Sequence, residues 1–390
     1  MSSDDNTTAQ LDRELRELLR SQAEAVTRRP HVMTEVALRD SARRKQRREL
    51  RLVGAAVATA AVVVAALLIG PLGLDRSDSS LPADPEPTAD VQPRKPAAGE
   101  VDTIQLPGDD ASAAFAALGY VFVRLRSPAP TIAKVDPATN TVVGSVSLPD
   151  GLRLTEGIDP VVAAGSLWWS GAEAVYRMDP RSMTIAATIP VNSRWAALAS
   201  DGRHVWVADR DGITDIDVAT NSLVEHNSIG SEPQNLSFTG GSLWAAVGTS
   251  LLELDAGSKA VVGRTTLPGK LDLLNMLAVD DSLWVAVNGL DRLVHVDSDG
   301  DVEASVQLPR GSLVFDEFDP QLGSSSDGRT IWSMTAGGEL VAVDVSSGEV
   351  VDRIDVSDSV YHSQVAVTDD AVWVPIRSTS TVLRFQWRDR

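Results

Sequence analysis

Short apolar runs alternate with polar, turn-forming clusters through residues 100–390, and one phrase returns seven times. A turn leads into an apolar pair that ends in an aromatic, and a second short strand follows. The aromatics are Phe122, Trp168, Trp206, Trp244, Trp284, Trp332 and Trp373. Their spacings of 46, 38, 38, 40, 48 and 41 residues match the length of a four-stranded propeller blade. Period-2 alternation bounded by turn signals predicts antiparallel sheet throughout. The pattern therefore predicts an all-β, seven-bladed β-propeller over residues 100–390, with each aromatic anchoring the packing between blades.

After each anchor strand the pattern predicts a second strand ending in an acidic residue, as in Ile132–Asp136, Val175–Asp179, Ile213–Asp217 and Leu340–Asp344. A turn rich in Pro, Gly, Asn or Ser comes next, then a third strand such as Val142–Leu148 or Val350–Val356. A small apolar strand precedes each anchor, as in Val161–Ala164, Leu277–Val279 and Val365–Val367, and is expected innermost. The last unit runs out of chain after Val382–Phe385, with no room for an outermost strand. Val101–Leu106 copies the outermost-strand pattern of Val351-Asp352-Arg353-Ile354. It is expected to complete the seventh blade and so remove two exposed sheet edges.

The repeated Gly165-Ser166-Leu167-Trp168, Gly241-Ser242-Leu243-Trp244 and Asp281-Ser282-Leu283-Trp284 resemble the seven-bladed family of streptogramin-lyase-like and surface-layer (YVTN-type) propellers. Val135-Asp136-Pro137-Ala138-Thr139 is similar to that family's second element. The resemblance covers about residues 100–390 and implies the fold. The family's lyase members use a histidine and a magnesium held by glutamates, a constellation with no counterpart in this sequence.

Ahead of the repeats lie three segments of other character. Residues 1–50 form an arm in which Leu11, Leu15, Leu18, Gln22 and Ala25 recur at helical spacing after a Thr7–Gln10 capping box. This amphipathic helix over residues 8–28 could dock a cytoplasmic regulatory protein, lie on the inner leaflet, or remain a marginal, disordered arm. Residues 51–74 are expected to be a transmembrane helix, since Leu52 to Leu74 carries no charge and would span about 34 Å. Basic residues from Arg39 to Arg51 precede it and Asp75, Asp78 and Asp84 follow, which predicts a single span with its N-terminus in the cytoplasm. A cleaved signal peptide is the poorer fit, because Gly70–Leu74 offers no Ala-x-Ala site. Residues 75–99, with Pro82, Pro85, Pro87, Pro93 and Pro96, read as a stiff extended spacer.

Charge sharpens this division. Residues 1–51 hold 12 basic and 9 acidic groups, whereas residues 75–390 hold 23 basic and 45 acidic groups, a net of −22. So acidic a domain disfavours nucleic acid as a partner. The chain has no cysteine, which excludes a disulfide framework, a cysteine metal site and a lipidated anchor.

Candidate chemistry is sparse. His204 and His295 fall inside predicted strands, His226 in an outer strand, and His362 in a loop before an innermost strand. Asp209–Asp215 and Asp297–Asp301 look superficially like calcium loops but fall where hairpin turns are due. No metal site and no cofactor is expected. One repeat position stands out: nine residues before the anchor come Asp159, Asn235, Asn275 and Gln364. A closed ring would bring these polar groups to one channel mouth, rimmed by Arg153 and His362. Blades 3 and 6 read as carrying longer insertions there.

The chain is thus expected to be a membrane-anchored, extracytoplasmic module that binds an envelope ligand or protein. A short amphipathic helix, a basic run, one span and an outer propeller resemble actinobacterial membrane proteins found beside extracytoplasmic-function sigma factors, which implies envelope sensing or regulation. The arm lacks the histidine–cysteine zinc motif of the common anti-sigma domain. The alternative is an extracytoplasmic lyase or hydrolase of the streptogramin-lyase-like type.

Overall fold

The computed structural model describes residues 91–97, 99–148, 160–171, 173–192, 197–267, 276–287, 291–309, 322–325, 328–335, 337–356, 364–377 and 379–387. The chain enters as β1 (Val101–Gln105). Blade 1 follows with β2 (Asp109–Ala117), β3 (Tyr120–Ser127), β4 (Thr131–Asp136) and β5 (Thr141–Ser147). Blade 2 holds β6 (Val161–Ala163), β7 (Ser166–Gly171), β8 (Ala174–Asp179) and β9 (Thr184–Pro190). Blade 3 holds β10 (Leu198–Ser200), β11 (His204–Asp209), β12 (Gly212–Asp217) and β13 (Ser222–Ser228). Blade 4 holds β14 (Asn235–Thr239), β15 (Ser242–Val247), β16 (Ser250–Asp255) and β17 (Val261–Thr266). Blade 5 holds β18 (Met276–Val279), β19 (Ser282–Val287), β20 (Arg292–Val296) and β21 (Val302–Gln307). Blade 6 holds β22 (Leu322–Ser324), β23 (Thr330–Met334), β24 (Glu339–Asp344) and β25 (Glu349–Asp355). Blade 7 ends the series with β26 (Ala366–Val367), β27 (Ala371–Ile376) and β28 (Thr381–Gln386).

Strands pair antiparallel in chain order within each sheet, and the first strands of neighbouring blades pack side by side around the axis. Blade 7 takes its fourth strand from β1, with Val101 opposite Phe385 and Gln105 opposite Thr381. The circle is therefore closed by hydrogen bonds between the two ends of the domain.

The core is seven layers, one between each pair of blades. Phe122 packs on Leu167 and Met178 of blade 2, and Trp168 on Val205 and Ile216 of blade 3. Trp206 meets Leu243 and Leu252, Trp244 meets Val285 and Val294, and Trp284 meets Val341 and Val343. Trp332 packs on Val372 and Val374, and Trp373 returns to Val121 and Val123 of blade 1. None of the seven anchors is more than 2% exposed. Each anchor thus buries one aromatic side chain that its own sheet could not cover, which is why the blades associate.

The acidic residues that end the second strands have a local cause. The Asp136, Asp179, Asp217 and Asp344 carboxylates accept N–H groups of Ala138, Arg181, Ala219 and Ser346 at 2.7–3.0 Å, closing Asx turns. Backbone N–H donors hold Asp179 and Asp217 below the usual carboxylate range.

A second repeated device was not anticipated from the sequence. The residue directly across from an anchor is Lys134, Arg177, Asp215, Glu253, His295 or Arg384 in six of the blades. Several of these side chains cross to the next blade. Lys134 Nζ donates to Pro180 O at 2.9 Å, and Arg177 Nη1 to Val218 O at 2.6 Å. Asp215 pairs with Lys259 at 2.6 Å. His295 stacks on Trp284 instead, with centroids 4.8 Å apart. Ladder irregularities fall beside this residue in blades 1 to 6, adding twist where the sheet splays outward.

The end of the Pro-rich spacer is held by the propeller. Arg94 N–H donates to Arg353 O at 2.9 Å, and Asp355 N–H to Arg94 O at 2.8 Å. The Arg94 guanidinium grips Asp352 with Nε and Nη2 at 3.0 and 2.9 Å and reaches Glu100 at 2.9 Å. Residues 91–97 therefore run along β25 rather than standing clear of the domain. The arm, residues 51–74 and the rest of the spacer lie outside the described residues. Among the described residues no helix is long and apolar enough to cross a membrane.

Candidate ligand site at one channel mouth

Strand register defines the mouth position. Phe115, Val161, Ala199, Ser237, Leu277 and Ala366 each pair with an anchor seven residues on. Two residues earlier stand Ala113, Asp159, Ala197, Asn235, Asn275 and Gln364. Blade 3 thus keeps the common register, contrary to the expected insertion, and its residue is Ala197. Blade 6 does carry two extra residues, since Gly323 pairs with Trp332. Counting back from Gly323 moves its mouth position to Gln321, outside the described residues.

Two of the predicted mouth residues are described. Gln364 is 8% exposed and forms a parallel bridge with Ala113, while its carbonyl accepts the Ala114 N–H at 2.9 Å. Residues at one repeat position in blades 7 and 1 are therefore neighbours. Asn235 opens β14, half-buried and paired with Ala246. Asp159, Asn275, Arg153 and His362 lie outside the described residues.

Arginines missed by the sequence reading share this end of the channel. Arg124 pairs with Ala113, the blade 1 mouth residue, and its Nε donates to Ser112 Oγ at 2.9 Å. Ser112 sits at a register shift in β2 and is 2% exposed. Arg126 lies two residues farther along β3, and Arg377 directly follows β27 of blade 7. Burial, with Arg126 and Arg377 adding repulsion, pushes the Arg124 guanidinium down to about 9, still cationic at neutral pH. Burial and Arg377 lower Arg126, and burial lowers Arg377. Asp110 acts on all three in the opposite sense. The signal was present: two residues after the anchor stand Ser170, Ala208, Ala246, Ala286, Met334 and Pro375, and only blade 1 has a charge there.

The described histidines sit elsewhere. His204 faces Asp201 at 2.9 Å on the surface, and His226 lies on β13 between Thr214 and Asp211 at 2.9 and 3.0 Å. The calcium-like runs are turns: Asp209 pairs with Gly212, and Asp297 Oδ1 accepts the N–H groups of Asp299 and Asp301. Among the described residues no three His, Asp or Glu side chains are grouped as a metal ion would require.

A cavity of about 710 Å³ opens at the opposite end of the channel, where innermost strands turn outward. Leu118, Gly119, Asp280, Thr368 and Asp369 are among its lining residues. The two ends thus differ in character, with guanidiniums at one and carboxylates at the other.

No family model and no curated protein matches the chain. Solved structures do. A Kuenenia stuttgartiensis hydrazine synthase structure is 13% identical, with a TM-score of 0.56 over 73% of this chain and 97% of that one. The RRP9 WD40 repeats are 9% identical, with a TM-score of 0.58 over 76% and 100%. A chain in the crystal structure of a mitotic checkpoint complex is 14% identical, with a TM-score of 0.58 over 82% and 99%. The fold is a seven-bladed β-propeller. At these identities the likeness concerns fold alone.

Proposed function

We propose that the chain is a membrane-anchored, extracytoplasmic binding module whose propeller presents one channel mouth to an envelope ligand or protein. The mouth's chemistry carries the reading. Its described groups are the Asn235 and Gln364 amides and the Arg124, Arg126 and Arg377 guanidiniums with the Asp110 carboxylate acting on them, a set suited to orienting a ligand by charge and hydrogen bonding. We prefer binding to the lyase or hydrolase chemistry implied by the streptogramin-lyase-like resemblance because amides and guanidiniums, which are poor proton-transfer groups at neutral pH, predominate among the described groups of the mouth. The repeated Gly/Ser-Leu-Trp phrase supports placing the propeller in that YVTN-type family. Propellers in a WD40-repeat protein and in a checkpoint complex, similar in fold, support a binding role by analogy only.

The uncharged stretch Leu52–Leu74 with its basic cytoplasmic flank supports the anchor and its N-in orientation. The helix over residues 8–28 then offers the inner partner surface. Protease added to spheroplasts should destroy the propeller and leave a fragment bearing residues 1–50. Survival of the propeller in sealed cells, with digestion only after lysis, would reverse the orientation and remove the extracytoplasmic role.

A further inference from the structure

We propose that Lys259 and Asp215 condense into an intramolecular isopeptide bond, assisted by Glu225, that staples blade 3 to blade 4. This modification is independent of the channel mouth and of any ligand bound there.

The three side chains already meet. Lys259 Nζ lies 2.6 Å from Asp215 Oδ2 and 3.1 Å from Glu225 Oε2. Because a C–O bond adds only about 1.2 Å, Nζ stands within about 4 Å of Asp215 Cγ. Reacting atoms held at roughly 3–3.5 Å are poised to combine, so little movement is needed. Both partners are also fixed at their roots. Asp215 pairs across the sheet with the anchor Trp206. Lys259 sits in the turn between β16 and β17, its N–H donating to Asp255 O at 2.7 Å and its carbonyl accepting Asn227 Nδ2 of β13 at 2.8 Å. These bonds hold it at a φ of 54°, a left-handed conformation that costs a lysine energy. The backbone of a blade 4 residue is thus docked on blade 3, with its amine aimed at Asp215.

Burial supplies the chemical motive. The Lys259 side chain is 4% exposed, and Asp215 Oδ1 is buried with no hydrogen-bond partner among the described residues. A buried carboxylate with one unsatisfied oxygen is costly, whereas an amide in its place carries no charge. Burial holds the Asp215 carboxyl above the usual carboxylate range, toward the acid whose hydroxyl can leave. Burial also weakens the Lys259 ammonium, but Asp215 and Glu225 outweigh it and leave the lysine raised. A proton acceptor is therefore required, and Glu225, 64% exposed and in reach of Nζ, can take the proton and exchange it with solvent. The other blades use cations that meet this need differently. Arg177 and Arg384 carry guanidiniums that stay charged, and Lys134 meets the Pro180 carbonyl oxygen at 2.9 Å.

The step balances without a cofactor or oxidant. Glu225 accepts a proton from the Lys259 ammonium and frees the nitrogen lone pair, which attacks Asp215 Cγ. The Nζ–Cγ bond forms and the Cγ–Oδ2 bond breaks. The departing oxygen leaves as water with two of the three ammonium protons, one of them delivered by Glu225. The third stays on the amide nitrogen, and a buried ion pair has become a neutral amide plus water.

The test is mass spectrometry of the denatured full-length chain. Its mass should fall short of the sequence by one water, and digestion should release one branched peptide joining Asp215 to Lys259. Lys259→Met and, separately, Asp215→Ala should each restore the full mass. Glu225→Gln changes an exposed side chain and keeps both reacting groups, so it should fold normally and lose water at least about tenfold more slowly. A folded wild-type chain that keeps its full mass through prolonged incubation overturns the bond. So does a water loss that maps to an Asp-Gly step such as Asp211-Gly212, where a succinimide would form instead. Condensation at an unaltered rate in Glu225→Gln would contradict the assisted step.

Discussion

Ile104→Asp is expected to destabilise the propeller by about 4 kcal/mol, although it changes a residue on an outermost strand. Ile104 is 4% exposed, pairs with Val382 of β28 and joins the layer between blades 7 and 1. A carboxylate there would be buried among Val121, Val135 and Trp373, in a layer whose Arg384 is already paired with Asp102 and Asp370. The layer is also the seam of the ring, so detachment of β1 uncovers the full edge of β28. An uncovered β28 would be a template for pairing with a second chain. Urea denaturation followed by tryptophan fluorescence should show the loss, accompanied by concentration-dependent association. A change below about 1 kcal/mol would mean that β1 does not lock the seventh blade.

Trp244→Ala should cost about 3–5 kcal/mol, and Trp168→Ala, Trp284→Ala and Trp373→Ala should fall in the same band. Each side chain fills an equivalent layer with an exposure of 1% or less. In an open stack of repeats the terminal anchors would cost less than the central ones, because one neighbour is missing. A closed ring has no terminal blade, so equality across the series is itself the signature. Val224, 65% exposed on β13, provides the contrast, and Val224→Ala should stay within about 0.5 kcal/mol. Thermal denaturation of the series decides between the two. Anchors near the chain ends that lose markedly less than Trp244 would argue against closure.

The fold was legible because each strand end carries its own mark. An Asx-forming aspartate such as Asp217 or Asp344 closes the second strand, and Gly165 or Gly241 opens the anchor strand with a positive φ that glycine adopts freely. Strand bounds drawn from those marks fall within a residue of the observed ones, as for β4, β12 and β24. The β1–β28 closure was legible for a similar reason, since Val101-Asp102-Thr103-Ile104 repeats the pattern of an outermost strand. What depends on pairing across the chain was not. Nothing in a Pro-rich spacer announces that Arg94 will find Asp352 on blade 6. The crossing contacts of Lys134 and Arg177 become visible only once each is known to face an anchor. The mouth was half legible. The offset shared by Asn235 and Gln364 survives in the register, Ala197 interrupts it, and the arginines that now define its charge sit on the next strand or just past it. Asp159, Asn275, Arg153 and His362 lie outside the described residues, so the full ring of polar groups remains a proposal.

The claim on which the mouth, its charge and its tether all rest is that one chain closes its own ring. Gln105 and Thr381 face each other across β1 and β28. The flanking bonds Leu106 N–H to Ser380 O and Gln386 N–H to Glu100 O place this pair at a non-hydrogen-bonded position. There the Cα atoms of antiparallel strands approach to about 4.5 Å, within disulfide range. The sequence contains no cysteine, so Gln105→Cys/Thr381→Cys introduces the only two thiols. Mild oxidation of the folded full-length chain should link them within one molecule, shift mobility on a non-reducing gel, and raise stability by as much as about 5 kcal/mol. Failure of the folded protein to form this bond, or formation of disulfide-linked dimers in its place, would contradict the closed ring.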